Sequence, residues 1–237
     1  MKSLNAFAAA FGLVATLASS PVLADATPLF IFDSQPLFAP PGFGTSIGTV
    51  AVDDGSLTGL PPVSPRTRQL LIDSQGVGRY DQILGAFSIA VPGSLSMSAF
   101  QYGFSVAATT TFQFTYNFLT NTDPADPATF EVFTADLFNS GGSEIADLAF
   151  EATGISTFGL SPTFYGFETG TKYVEFTVGP GSYTAQFLVV SDQTGCIRGL
   201  GVCIPTGAVL NSVPEPATLA LAGLALLATV ASRRRRG

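Results

Sequence analysis

The sequence predicts an all-β domain, an antiparallel β-sandwich of jelly-roll-like form, flanked by an N-terminal signal peptide and a single C-terminal transmembrane helix. Three observations carry the β prediction. Thr111 to Phe118 alternates strictly, with Phe112, Phe114, Tyr116 and Phe118 on one face and Thr111, Gln113, Thr115 and Asn117 on the other, the period-two pattern of a half-buried antiparallel strand. Tyr183 to Val190 repeats it, with Tyr183, Ala185, Phe187 and Val189 on one face. Turn-forming pairs then punctuate the chain closely: Pro40-Pro41-Gly42, Asp54-Gly55, Pro92-Gly93, Asp123-Pro124, Gly141-Gly142 and Pro180-Gly181. Short strands with such spacing imply a sandwich or barrel, and no segment between the two ends sustains a helical period.

Residues 1–24 read as a secretory signal. Lys2 supplies the positive start, Ala6 to Leu17 the apolar stretch, and Val22-Leu23-Ala24 a small-residue cleavage site after Ala24. Residues 25–212 form one domain, large enough for a sizeable core. Further strands are expected at Phe30–Asp33, Ile47–Val52, Gln69–Asp73, Ile83–Val91, Leu95–Val106, Thr129–Phe138, Ile145–Glu151 and Lys172–Val178. The Pro-rich stretch Leu57 to Pro65 reads as a loop inside that domain, and no internal repeat is evident.

Residues 213–237 have another character. Pro214 and Pro216 hold the backbone extended around Glu215, because proline fixes φ and disfavours helix in the residue before it. An uncharged, Leu- and Ala-rich run follows from Ala217 to Ser232. As a helix it would be roughly 24 Å long at 1.5 Å per residue, enough to cross a thinned hydrocarbon core with help from its flanks. Arg233, Arg234, Arg235 and Arg236 then hold the C-terminus on the cytoplasmic side.

The order Val-Pro-Glu-Pro, apolar helix, arginine cluster resembles the PEP-CTERM sorting signal of Gram-negative bacteria. The resemblance implies that Pro214, Glu215 and Pro216 are recognised by an exosortase-type membrane peptidase. It also implies an inner-membrane-anchored precursor and a final place at the cell surface or outside the cell, in association with exopolysaccharide or biofilm. The alternative for the same residues is an ordinary C-terminal anchor that nothing cleaves. A second resemblance rests on Phe-Thr-Tyr-Asn-Phe-Leu-Thr-Asn at 114–121, Phe130 to Phe133 and Gly-Ser-Tyr-Thr at 181–184. Together these are similar to lectin-like or galactose-binding-like β-sandwich domains of PEP-CTERM proteins. Those often carry Thr-Asn-Glu where this chain has Thr120, Asn121 and Thr122, a departure at the acidic position.

With both ends set aside, five basic and sixteen acidic residues remain, a formal charge of −11. Such a surface repels nucleic acid and anionic headgroups, so neither is expected as a partner. The chain has no histidine, which excludes Ser-His-Asp and Cys-His catalysis and histidine metal sites. No Gly-rich loop opens a helix, so nucleotide binding has no support. A glycosidase would need two carboxylates about 5 to 9 Å apart, a pairing that sequence does not reveal. Asp53-Asp54 beside Gly55 reads as a turn, and Lys172 as a solvated lysine at a strand edge. The expectation is a protein that is not an enzyme.

Two sites stay open. Cys196 and Cys203 enclose a short Gly-containing loop, and in an oxidising compartment a local disulfide is expected; half a zinc site is the poorer alternative. The loop Asn121-Thr122-Asp123-Pro124-Ala125-Asp126-Pro127 offers hard oxygen donors from Asn121, Asp123 and Asp126 that suit calcium. Its ordinary reading is a solvated turn built by Asp and Pro. No other cofactor is expected. The functional expectation is a non-enzymatic cell-envelope or extracellular-matrix protein, the alternative a calcium-assisted carbohydrate-binding module.

Overall fold

The computed structural model describes residues 26–62, 68–74, 96–126, 129–192 and 206–212. The signal peptide, Ile83–Val91, both cysteines and the C-terminal signal all lie outside them.

Among the described residues the chain is all β. Thirteen strands occur: β1 (Thr27–Pro28), β2 (Thr45–Ile47), β3 (Thr49–Asp53), β4 (Gln69–Asp73), β5 (Ser96–Val106), β6 (Thr110–Thr120), β7 (Glu131–Asn139), β8 (Glu144–Ala152), β9 (Gly159–Leu160), β10 (Phe167–Glu168), β11 (Lys172–Val178), β12 (Gly181–Ser191) and β13 (Gly207–Asn211). The first sheet runs β3-β4-β13-β6-β10-β9, with β11 and β1 also paired to β6. The second runs β2-β5-β12-β7-β8. Every pairing is antiparallel except that of the short β1 with β6.

The sheets face one another over an aromatic core, making a β-sandwich. Alternation puts Phe114 of β6 and Phe187 of β12 on the inner faces. Their rings meet edge to face, centroids 5.3 Å apart and planes at 87°, the favoured geometry for an aromatic pair. Phe30, Phe32, Phe100, Phe118 and Phe133 extend the cluster.

Several expectations need correction. Phe30–Asp33 is not a strand; Phe30 and Phe32 fill the core from irregular backbone, their rings 4.8 Å apart. A strand expected over Ile47–Val52 is two strands in different sheets, divided at Gly48. There φ is +76° and an added Cβ would lie 2.3 Å from Ser98 Oγ, so only glycine allows the step between sheets. The half-buried strand expected at 111–118 is covered on both faces from Phe112 onward. Gln113, Thr115 and Asn117 are buried with it. Gln113 Nε2 donates to the Ala26 carbonyl (3.0 Å) and Asn117 Nδ2 to Glu168 (3.1 Å). Such partners are what make burial of an amide tolerable. Finally, β13 is an interior strand that the alternation did not signal, because Gly207–Asn211 is buried at every residue.

Candidate functional site

Asn121, Asp123 and Asp126 stand on the connection from β6 to β7, and their hydrogen bonds build a turn. Asn121 Oδ1 accepts the Gly166 N–H (2.8 Å) and Asp123 Oδ1 the Ala125 N–H (3.0 Å), while the Asp126 N–H donates to the Asp123 carbonyl (3.0 Å). Thr122 donates to Glu131 Oε1 (2.8 Å). The buried Glu131 also accepts from Thr120 and from Ser191 (3.3 Å), tying this connection to β12. Thr120 and Asn121 are thus engaged inside the fold.

Asp53 and Asp54 do form a turn. Asp53 Oδ1 accepts the Leu57 N–H (3.0 Å), its Oδ2 accepts from Thr58 (3.0 Å) and Gln69 (2.9 Å), and Asp54 accepts from Ser56 (3.1 Å). Lys172, expected as a solvated lysine at a strand edge, is 40% exposed but also paired, its Nζ lying 2.5 Å from Glu151 Oε1 on the opposite sheet. Three tyrosines take different places. Tyr165 is buried, Tyr102 packs against Phe43 (5.4 Å), and Tyr173 is exposed on the outer face, its hydroxyl within reach of two acceptors, Gln113 Oε1 (2.7 Å) and Glu175 Oε2 (2.9 Å).

A polar field unmarked in the sequence lies on the outer face of the second sheet. Pairing lines up Thr45, Gln101, Gln186, Asp136 and Asp147 across β2, β5, β12, β7 and β8. Gln101 Nε2 donates to Gln186 Oε1 (2.5 Å), and Thr134 Oγ1 to Asp136 Oδ2 (2.8 Å). Beside this row a cavity of about 280 Å³ is lined by Phe138, Asn139, Thr184 and the two glutamines, among others. Burial pushes the Asp136 carboxyl up to about 6; the Thr134 hydroxyl opposes the rise and the nearby acids Asp147 and Glu144 add to it. The arrangement can present hydrogen-bonding planes, an aromatic edge and negative charge to a polar ligand.

The comparisons with known proteins bear on the other end of the chain. Residues 212–236 match the PEP-CTERM protein-sorting motif. This is the tail that carries Pro214, Glu215, Pro216 and Arg233 to Arg236, shifted by one residue from the expected 213–237. No curated protein matches the chain. Among solved structures, similarity extends to a carbohydrate-binding module of the β-sandwich superfamily (10% identity, TM-score 0.35, covering 80% of this chain and 62% of that one). It extends also to the CBM22-1 xylan-binding domain of Paenibacillus barcinonensis Xyn10C (12% identity, TM-score 0.34, 80% and 93%). A third is the K1 cleaved adhesin domain of Lys-gingipain from Porphyromonas gingivalis W83 (9% identity, TM-score 0.35, 78% and 97%). TM-scores this low carry no argument about ligand or activity. The chain spans 62% of the length of the first.

Proposed function

We propose that this protein is an exported, non-enzymatic component of the cell envelope or extracellular matrix, sorted through its PEP-CTERM motif and associated with exopolysaccharide. The match of residues 212–236 carries the reading. In it, residues 1–24 direct export, residues 25–212 fold outside as a sandwich of jelly-roll-like form, and 217–232 halts in the inner membrane with Arg233 to Arg236 inside. An exosortase-type peptidase then acts near Pro214-Glu215-Pro216, and the domain ends at the surface or in the medium. The Cys196–Cys203 disulfide belongs to the same export route. The repeated passage of the chain between sheets, as from β6 to β7 and from β11 to β12, supports the jelly-roll-like form. Engagement of the buried acids Asp53, Glu131 and Glu151 in structural bonds supports a non-enzymatic role.

Processing tests this directly. Glu215→Ala should leave the precursor uncut in the membrane, whereas the wild type loses its tail. Normal maturation of the variant would overturn the reading.

The field around Gln101, Gln186 and Phe138 favours a second reading, a carbohydrate-binding module, because amide planes beside an aromatic edge suit a polyol. Retention on an exopolysaccharide gel, abolished by EDTA, would support it; no retention with or without calcium would support the structural role.

A further inference from the structure

We propose that Asp136, Glu144 and Asp147, on the outer face of the second sheet, form a binding site for a divalent cation of the calcium class. The site is separate from the Asn121–Asp126 turn. It would deepen the carbohydrate-binding reading, but rests on neither that reading nor the sorting motif.

The first observation is how the backbone assembles the three carboxylates. Glu144 and Asp147 are three apart, so on an unbroken strand they would point to opposite faces. The β7–β8 ladder shifts register twice, between Ala135 and Asp136 and between Leu137 and Phe138. The first shift sets Asp147 opposite Asp136, and the second sets Glu144 opposite Phe138. Both exposed acids are thereby brought onto the face of Asp136, a re-aiming that bulges commonly perform. One carboxylate oxygen from each of the three lies within 4.8 Å of the others. Like charges directly opposite on paired strands destabilise a sheet, and the charged groups acting on Asp136 are Glu144 and Asp147, both acidic. Hard carboxylate oxygens at this spacing are what calcium takes, at 2.3–2.6 Å each.

The second observation is independent of the acids. Gln186, 1% exposed, is the cross-strand partner of Asp136 and stands on the same face. Its Oε1 accepts from Gln101 on β5, the flank of β12 opposite to β7 and Asp136. Its Nε2 is buried without a hydrogen-bond partner. A donor left unpaired in such a place costs about 1–3 kcal/mol. An oxygen bound on the cation, from water or a polyol hydroxyl, would accept its hydrogen. Turning both amides over keeps their mutual bond and presents Gln186 Oε1 as a direct ligand instead. Calcium's six to eight positions exceed three carboxylates, so oxygens from outside the chain would complete its shell.

The test is calorimetric titration of calcium into the full-length protein, purified in detergent and stripped of metal. The wild type should take up about one equivalent, with a dissociation constant of about 0.1–1 mM, the range of extracellular modules. The double variant Glu144→Gln, Asp147→Asn alters only exposed side chains and should keep the fold while weakening binding at least tenfold. Asp123→Asn should bind as the wild type does. Absence of uptake by the wild type at several millimolar calcium would overturn the proposal. So would a double variant that binds normally, or loss of binding in Asp123→Asn alone.

Discussion

Tyr116 of β6 donates its hydroxyl to Glu151 of β8 across 2.6 Å, joining the two sheets from inside the sandwich. Lys172 of β11 reaches the same oxygen, Oε1, at 2.5 Å. Glu151 is buried, whereas the lysine side chain is 40% exposed. A carboxylate so placed is tolerated because two donors replace its water. Tyr116→Phe should lower stability by about 1–2 kcal/mol, and Glu151→Leu by more, since it strands the tyrosine hydroxyl as well. Urea unfolding of each variant measures this; equal stability of Tyr116→Phe and the wild type would show that the bond contributes nothing.

The same cluster sets a pH dependence. Burial alone would raise the Glu151 carboxyl, but bonds from Lys172, Ser156 and Tyr116 outweigh it and hold the group below its ordinary 4.5. A lowered acid stabilises the fold above its unfolded pKa, and that stability is lost as pH falls through the folded value. Burial, with help from Glu151, raises the Tyr116 phenol, so its contribution is complete below 10 and lost in strong alkali. Unfolding free energy should therefore decline below about pH 4.5, and Glu151→Gln should flatten that acid limb.

Phe114→Ala and Phe187→Ala each empty a fully buried site and should cost about 3–5 kcal/mol. Because the rings touch edge to face, a double-mutant cycle should show coupling of about 0.5–1.5 kcal/mol beyond additivity.

Gly48→Ala tests the crossing between sheets. The methyl would meet Ser98 Oγ at 2.3 Å and the Met97 carbonyl at 2.8 Å, at a φ of +76°. Ser98 cannot yield freely, since it accepts the Thr49 N–H (2.9 Å) and donates to the Asp73 carbonyl (2.6 Å). A loss of at least about 2 kcal/mol is expected in thermal or urea unfolding.

Processing has a structural limit. Asn211 and Ser212 are both buried, so the peptidase should find its bond only beyond them. Intact mass of the mature protein should place its C-terminus at or after Val213.

Much of the sandwich was legible because its longer strands carry period-two signals. Gln69–Asp73 and Lys172–Val178 have the expected bounds, and β12 extends its predicted segment by a few residues. The failures share a cause: contacts made far along the chain. β13 shows no alternation because it is buried between β4 and β6. Gln113 and Asn117 look solvent-facing until Ala26 and Glu168 are known to reach them. Lys172 looks free until Glu151 arrives from the other sheet. The carboxylates of β7 and β8 were hidden for a different reason, since Glu144 and Asp147 share a face only through irregular register, which no alternation rule anticipates.

The place of β13 gives the fold a mechanical character. The strand is laced to β4 on one flank and to β6 on the other, and the sorting motif begins one residue after it. Any tether fixed beyond Ser212 pulls lengthwise on a strand held from both sides. The load falls on two ladders in shear, whose hydrogen bonds must yield together, whereas an edge strand would peel away one bond at a time. The sheet is thus braced where the domain meets the sorting motif.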